Sequence, residues 1–572
     1  MSQLRKTRIV LQIVFFVLFA GSFFVLNTHP RAYTAPGEWF LRLNPLVGIV
    51  VSLSSRTLVW GLLGGAAVMI VVTVLMGRVF CGMICPLGAL IDFSDKHLLG
   101  RMRGKNANPP RQLQRVKYVF LTAIAAAALF GVTMPLFMDP ISLLTRIFTL
   151  VIHPLVKIAG ADGLALVGPV LRSTPFREFG YATVDVPLYY GTLGAALLLF
   201  VVLGGGLWDK RFWCQYVCPS GAFFGLLSRR PLFRRVVSTD DTCNNCRACS
   251  RVCPTRAIEQ DEIRHTRSSE CIVCGLCTGT GGAPACSRFA FGSPRPSVRP
   301  VLDVKRRDVV VGVAGGALML PAFRATAISR RDNTGRLIRP PGAVEEPEFL
   351  SRCITCGECM KACPTNAIQP CGFTDGFSRL NTAKIVPRIG GCEEKCHLCG
   401  HVCPTGAIRP LPYEQKRFVK IGTAVIDRHR CLAWAQNKEC LVCDEVCPYN
   451  AIEPRIVETT KGPFKVPVVY EDLCMGCGLC EQHCPIYDRA AIVVYKFGEN
   501  RRSRGEYLSR WEKEAVEQRR KASDSDRLGH GREDVGDAEA GPVSAETGAT
   551  DYSGEPGTSA DTGSTLPPGF LP

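Results

Sequence analysis

Apolar positions follow two regimes along this chain. Over the first 235 residues they gather into four uncharged runs, 9–27, 57–77, 118–138 and 189–208, each close to the ~20 residues that cross a bilayer core. This predicts four membrane helices. Beyond residue 235 the runs shorten and are punctuated by cysteine and proline, which predicts small, loop-rich units. The first run follows Arg5, Lys6 and Arg8 as a signal peptide would, but it is too long for an h-region and no small-residue cleavage site follows. It reads as an uncleaved anchor. A further apolar segment, Asp139–Lys157, contains Arg146 and His153. It is expected at the outer face as an interfacial or re-entrant helix. Its ionisable groups either snorkel, the preferred reading, or line a quinol pocket.

Charge sets the orientation. The N-terminus, 78–117 and 210–235 hold seventeen Lys and Arg, against seven in the two intervening loops 28–56 and 139–186. The positive-inside rule then places the N-terminus in the cytoplasm. The net charge is +18, but the stretch from Ser523 onward is net −8, so the first 522 residues carry +26. With four apolar runs in hand, that basic body reads as a membrane protein and not as a nucleic-acid binder.

Cysteine carries the candidate chemistry. The total of 29 is odd, so complete disulfide pairing is excluded. Two pairs share the pattern RxxCxxxCPxGA, Cys81 and Cys85 in RVFCGMICPLGAL, Cys214 and Cys218 in RFWCQYVCPSGAF. The repeat makes each two-span hairpin a copy of one unit. A spacing of four puts both sulfurs on one helix face, and two hairpins could bring four thiols together. Such thiols are candidates for a metal, a cluster or a dithiol–disulfide couple, or else simply pack the hairpins.

Another 24 cysteines form six quartets. Three read CxxCxxCxxxCP: Cys243, Cys246, Cys249, Cys253; Cys353, Cys356, Cys359, Cys363; and Cys474, Cys477, Cys480, Cys484. Two have a widened first gap, Cys392, Cys396, Cys399, Cys403 and Cys431, Cys440, Cys443, Cys447; the last, Cys271, Cys274, Cys277, Cys286, has a widened final gap. This is the bacterial ferredoxin run for [4Fe–4S] clusters, in which the fourth cysteine of one motif reaches the neighbouring cluster. Zinc would not need a third close cysteine each time, nor the proline that follows the fourth cysteine in five of the six. After four quartets the text repeats as PTRAI, PTNAI, PTGAI and PYNAI. Cys371 is left over and reads as an ordinary buried thiol.

Arg306 and Arg307, the apolar run 309–323 and Ala325-Thr326-Ala327 together look like an internal twin-arginine export signal; the alternative is a linker or a short buried helix. Residues 501–522 predict a charged helix, and the acidic Gly/Ser/Thr stretch after it a disordered tail.

Residues 1 to about 295, with four spans, two CxxxCP pairs and two quartets, resemble NapH-type membrane polyferredoxins, which are related to the NosR and CcoG/FixG types. Residues 305 to about 495, with twin arginines, RPPGAVEEPEFLSRCITCGECMKACP and four quartets, resemble NapG-type exported four-cluster ferredoxins. The chain looks like a fusion of the two. The expected fold is a polytopic α-helical membrane domain (1–235), a two-cluster α+β ferredoxin domain (236–296), an apolar segment and linker (297–340), a four-cluster ferredoxin domain (341–497), and a charged helix with a disordered tail (498–572). The resemblance implies electrons passing from quinol through about six [4Fe–4S] clusters to a periplasmic oxidoreductase or cytochrome, as a quinol dehydrogenase component of the bacterial inner membrane. The first two clusters would be cytoplasmic and the last four periplasmic, tethered or clipped near Ala327. Two alternatives remain open: a CcoG-like maturation factor using the CxxxCP thiols, for example to reduce copper, and a ferredoxin module facing the cytoplasm throughout.

Overall fold

Ten helices organise the N-terminal half and its continuation in the computed structural model: α1 (Gln3–Val25), α2 (Pro45–Ser55), α3 (Trp60–Met76), α4 (Pro86–His97), α5 (Val116–Leu129), α6 (Pro140–Ile147), α7 (His153–Leu171), α8 (Thr192–Gly204), α9 (Pro219–Leu227) and α10 (Arg306–Ile328). The structure describes residues 3–25, 39–100, 102, 111–173, 177–181, 185–237, 243, 246–259, 263–278, 286–292, 304–328, 335–459 and 462–508. The acidic tail after residue 522 lies outside them.

Among the described residues two helical stretches are long and apolar enough to cross a membrane, Gln3–Phe24 and Pro140–Pro169. The expected spans 57–77 and 189–208 appear as the shorter α3 and α8. Leu193, Leu197 and Phe200 on α8 and Val68 and Val71 on α3 are exposed, the kind of apolar surface that meets lipid or a partner. One expectation is corrected. The run 118–138 is not one helix: α5 ends at Leu129, Gly131 turns with φ +80°, and a 3-10 turn covers Met134–Met138. The segment from Asp139 begins beside Ser220 and leads to Thr355 of the four-quartet unit. It is the start of a helical stretch in which α6 runs through a π turn, Phe148–Ile152, into α7. Asp139, Arg146 and His153 are buried in it against protein, so they do not interrupt it.

Three helix starts converge on one buried polar knot. Asn44 caps α2, accepting from Leu46 N at 3.1 Å, and Asp139 caps α6, accepting from the amides of Ile141 and Ser142. Asn44 Nδ2 donates to Asp139 at 2.6 Å and Ser220 Oγ, in the first turn of α9, donates to it at 2.5 Å. Pro follows each cap position, in place with φ preset and no amide to orphan. The carboxylate thus sits where helix N-termini favour negative charge.

The helix α10 packs along α5 in parallel. Gly312 and Gly316 form the contact: a Cβ at Gly312 would lie 1.8 Å from Thr122 Oγ1, and one at Gly316 2.6 Å from the Ala123 carbonyl oxygen. This is the small-xxx-small spacing that brings apolar helices into close contact. The Arg306–Arg307 pair opens this helix and Ala325–Ala327 lie in its last turns.

Small β units complete the fold. Strand β1 (Phe233–Val237) pairs antiparallel with β2 (Ser287–Phe291), enclosing the first two quartets. In the four-quartet unit β3 (Ile368–Pro370) pairs with β4 (Ala383–Ile385), β5 (Thr423–Ile426) with β8 (Ile492–Tyr495), and β6 (Ile452–Thr459) with β7 (Gly462–Val469), all antiparallel. Residues 501–508 are not helical, contrary to expectation. They fold back on the unit, where Arg501 bonds Glu346 and Tyr507 is buried.

The two ferredoxin regions dock at different ends of the helical bundle. Near the start of α5 and the CxxxCP turns, Arg78 and Lys117 reach Glu270. Near the far end of α5, Thr133 Oγ1 donates to the carbonyls of Leu350 (2.7 Å) and Cys353 (3.0 Å), and Ser54 donates to that of Ser351. Gln369 Nε2 and Asn366 Nδ2 both donate to Leu188 O ahead of α8.

Candidate iron–sulfur centres and a four-thiol site

In the four-quartet unit the quartets are crossed. Cys353, Cys356 and Cys359 share a cavity with Cys403, not with Cys363. Cys363 lines a second cavity with Cys392, Cys396 and Cys399. A third joins Cys431, Cys440 and Cys443 to Cys484, and Cys447 is the neighbour of Cys474, Cys477 and Cys480. The first pair repeats the scheme, with Cys253 beside Cys271, Cys274 and Cys277, and Cys286 beside Cys249. The wide gap after Cys431 is taken up by the short helix Leu432–Gln436, closed by Asn437 in the left-handed region. The insertion loops out and leaves the sulfurs in place. Cys371 lines none of these cavities; it is buried with Arg339 Nη1 3.7 Å from its sulfur.

The repeated text after the fourth cysteine has a structural cause that sequence reasoning missed. In each copy one residue turns left-handed: Arg256, Asn366, Gly406 and Asn450, with φ between 47° and 67°. That turn points backbone amides at sulfur, Ala257 N to Cys253 at 3.3 Å, Ile408 N to Cys403 at 3.4 Å and Ala451 N to Cys447 at 3.3 Å. Thr255, Thr365 and Thr405 place hydroxyls 3.5–3.8 Å from the sulfurs of Cys253, Cys363 and Cys403. Asn and Gly tolerate this conformation; Arg256 does so at a cost and is held by Asp209 at 3.2 Å. Val273 and Thr355, β-branched residues before the second cysteine of their loops, are also left-handed, so backbone strain collects where the loops wrap.

These surroundings fit a cubane. Four sulfurs, otherwise apolar walls and N–H donors aimed at the sulfurs are the donor set of a [4Fe–4S] cluster. Burial pushes the free thiols up, Cys392 to about 11 and Cys443 to about 12; a bound cationic centre reverses that preference and holds thiolates. Among the described residues no group of three or more His, Cys, Asp or Glu side chains is set to hold a single metal ion, and polynuclear spacing accounts for that.

The CxxxCP pairs depart from the sequence expectation in one respect. Cys81 and Cys85 do not share a regular helix face. Cys81 lies in a π turn, Phe80–Ile84, and Cys85 is the extended residue that starts α4, with Pro86 behind it. Cys214 and Cys218 repeat this in the π turn Trp213–Val217 and the start of α9. The wider turn and the break re-aim the second sulfur, and the two hairpins bring all four thiols within each other's field.

Two buried arginines from the same repeat brace the site. Arg211, 0% exposed, donates to both oxygens of Asp92 at 2.6 Å and to the carbonyl of Cys81 at 3.0 Å. Arg78, 1% exposed, donates to Ser269 O at 2.9 Å and Glu270 at 3.1 Å. Their carboxylates come from different places. Asp92 belongs to the first hairpin; its counterpart in the second is Gly225, where a Cβ would meet Ser269 O and Tyr118 Oη at 2.9 Å. The missing acid is supplied by Glu270, one residue before Cys271. Arg211 also faces Cys274 of the second quartet as well as Cys214.

Arg146 does not snorkel. It is 2% exposed and donates to Thr355 Oγ1 at 3.0 Å and Phe137 O at 2.8 Å, which fixes the loop between Cys353 and Cys356. His153 is buried beside Phe23 and Phe24, 6.3 Å from each ring, and Lys361 lies over the Phe23 ring at 3.7 Å.

Models of 4Fe-4S binding domains match residues 58–106, 190–239, 399–420 and 349–369, and models of 4Fe-4S dicluster domains match 235–280 and 438–487. One model thus covers both CxxxCP hairpins. The chain is 33% identical to the methylamine utilization ferredoxin-type protein MauM of Methylophilus methylotrophus over 34% of its own length and 88% of that protein. It is 34% identical to the ferredoxin-type protein NapG of Escherichia coli K12 over 33% of its length and 82% of that protein. It is 26% identical to the putative electron transport protein YccM of the same organism, over 40% of this chain and 55% of YccM. No solved structure matches it. Multiple [4Fe–4S] centres therefore belong to this protein.

Proposed function

The chain belongs to the ferredoxin-type electron-transfer proteins that include MauM and NapG, and from that premise we propose that it is a membrane-bound conduit carrying electrons from quinol to a partner oxidoreductase. The observation that carries this reading is the docking of iron–sulfur regions at both ends of one apolar bundle, the first pair by Glu270 and the four-quartet unit by Ser54, Thr133 and Arg146. Each quartet, crossed as described, holds one cluster, which supplies a reversible one-electron carrier when bound. The chain's own residues set its properties. Amides of Ala257, Ile408 and Ala451 stabilise electron-rich sulfur, and Lys416, 3% exposed and beside Cys392, adds positive charge at the second cavity.

In this reading α1, α3, α5, α8 and the α6–α7 stretch lie in the bacterial inner membrane, with the N-terminus and first two clusters cytoplasmic. The helix α10 returns the chain across it, so the last four clusters are periplasmic, where they meet an oxidoreductase or cytochrome. Quinol would bind near His153, whose ring lies beside Phe23 and Phe24, with Lys361, two residues after Cys359, over the Phe23 ring. Support for α10 as a resident helix is its glycine-mediated packing on α5.

The test is anaerobic addition of quinol to the full chain in liposomes. Bleaching of the cluster absorption is expected; no bleaching with either a benzoquinol or a naphthoquinol sinks the proposal. A reporter fused after residue 495 is expected to be active only in the periplasm, and a cytoplasmic signal overturns the topology.

A further inference from the structure

We propose that Cys81, Cys85, Cys214 and Cys218 together hold an iron–sulfur cluster of their own, additional to those of the six quartets, between the two CxxxCP hairpins. The thiols come from two copies of one local structure, a π turn followed by an extended cysteine that opens a proline-led helix. A packing role for small buried thiols would not require the same unusual turn twice, nor that both turns aim at one place.

Two further observations point to a charged occupant. Arg78 and Arg211 are both essentially inaccessible and belong to the same repeat, and each reaches across to the other copy. Arg211 donates to the carbonyls of Cys81 and Gly88, and Arg78 approaches the position of a Cβ at Gly221, beside the sulfur of Cys218. Burying two guanidinium groups is costly unless negative charge faces them. Asp92 and Glu270 supply part of it on one side; a four-thiolate cluster, with its net negative charge, supplies it on the other. The donor set also suits such a cluster better than a lone ion. Like the quartets, these four thiols do not converge into a single-ion group among the described residues, and Cys₄ ligation serves both [2Fe–2S] and [4Fe–4S] centres.

The site's position gives the cluster its use, and here alone the inference rests on the electron-transfer reading. Arg211 faces both Cys214 and Cys274, and Gly82, next to Cys81, packs so closely on the second quartet's loop that a Cβ there would lie 2.1 Å from Ile272 O, so this centre is next to the second quartet, on the side of the helical bundle. It would accept one electron and pass one on, with no bond made or broken, linking the membrane bundle to the first ferredoxin pair.

Iron and acid-labile sulfide are measured on the full chain purified anaerobically in detergent. Six cubanes account for about 24 of each, and the additional centre raises this to about 26 or 28 according to its nuclearity. The double variant Cys81→Ser with Cys214→Ser is expected to lose that increment and one paramagnetic signal on reduction, while the ferredoxin signals stay; Cys371→Ser is expected to lose neither. An iron count of 24 in the wild type overturns the inference even if the variant does not fold. Zinc in the site, or a redox-active disulfide with no excess iron, overturns it too. Excess iron without quinol bleaching would leave this site standing and remove the quinol proposal.

Discussion

The two docked ends of the bundle solve one problem by opposite means. The four-quartet unit has a large apolar core, running from Ile338 through Phe349 and Ile408 to Val494, that continues into Leu150, Val151, Tyr189 and Ala195 of the helices, and several of its polar links to them are hydrogen bonds to backbone carbonyls. Among the described residues the first pair has a small core, Cys249, Ile258, Ile263 and Cys277 with two partly buried neighbours. It is clamped instead by buried charge, Glu270 answering both Arg78 and Lys117. A unit with its own core can be held by neutral contacts worth about 1 kcal/mol each. A unit with little core depends on its seat, and a buried ion pair fixes that seat because breaking it strands a charge.

Removing the clamp is the strongest way to break this comparison. Glu270→Gln leaves Arg78 and Lys117 facing no carboxylate, at a cost of about 3–5 kcal/mol. The expected result is loss of about eight irons, those of the first pair, with the other quartets still loaded, read by iron content and by the reduced-state spectra. Equal loss at both ends would show that the two regions are not independent. Burial works to raise the pKa of Glu270, but Lys117 and Arg78 outweigh it and hold it below the usual carboxylate value. A depressed carboxylate contributes its stability above its unfolded pKa of about 4.3 and loses it only as pH falls through the folded value. Seating of the first pair should therefore be flat from about pH 5 to 8. A protection change by hydrogen exchange in that window would mean that another group controls the seat.

The connector between the ends comes next. Gly312→Leu forces α10 away from α5, since even a Cβ there collides with Thr122 Oγ1 and the Val119 carbonyl. Overpacking of this kind costs about 1–3 kcal/mol. Protease cleavage within 304–335 should rise in the variant while both sets of clusters stay loaded. Unchanged resistance would mean that α10 contributes nothing to holding the ends.

At the neutral end, Arg146→Ala removes the bonds to Thr355 and Phe137. The expected loss is smaller than at Glu270, about 1–3 kcal/mol. Its effect should be confined to the loop of Cys353, Cys356 and Cys359, seen as a shift of one cluster's spectrum. A loss of iron as large as that in Glu270→Gln would refute the contrast drawn between the two ends.

How much of this could be read from sequence follows from the range of each interaction. The quartets and the CxxxCP repeat are local patterns and were legible outright. The crossed partnership of Cys403 and Cys484 follows from the ferredoxin rule, but which quartets pair depended on β5 meeting β8 across some seventy residues. The π turn at Cys81 was invisible because a spacing of four also fits an ordinary helix. Arg78 and Arg211 stood in the repeated pattern without a role, since their carboxylates lie at Glu270 and Asp92, one of them 192 residues away. The partners of Arg146 and His153 were not legible, because Thr355 lies 209 residues from Arg146 and Phe23 lies on another helix.

The smallest effect tests what both ends share. The left-handed turn after the fourth cysteine occurs at Arg256 in the first pair and at Asn366, Gly406 and Asn450 in the other unit. Asn450→Ala puts a Cβ residue without a compensating side chain at φ 47°, for about 1 kcal/mol, whereas Asn450→Gly should be near neutral. Both keep the Ala451 amide, so if the turn exists to aim that amide at Cys447, the Ala variant should lower stability while its cluster potential stays at the wild-type value. A potential that moves with Ala and returns with Gly would mean that strain, and not the N–H donor alone, tunes the centre. The same pair of changes at Arg256 would then decide whether the ion pair with Asp209 exists to hold an unfavourable residue in that turn.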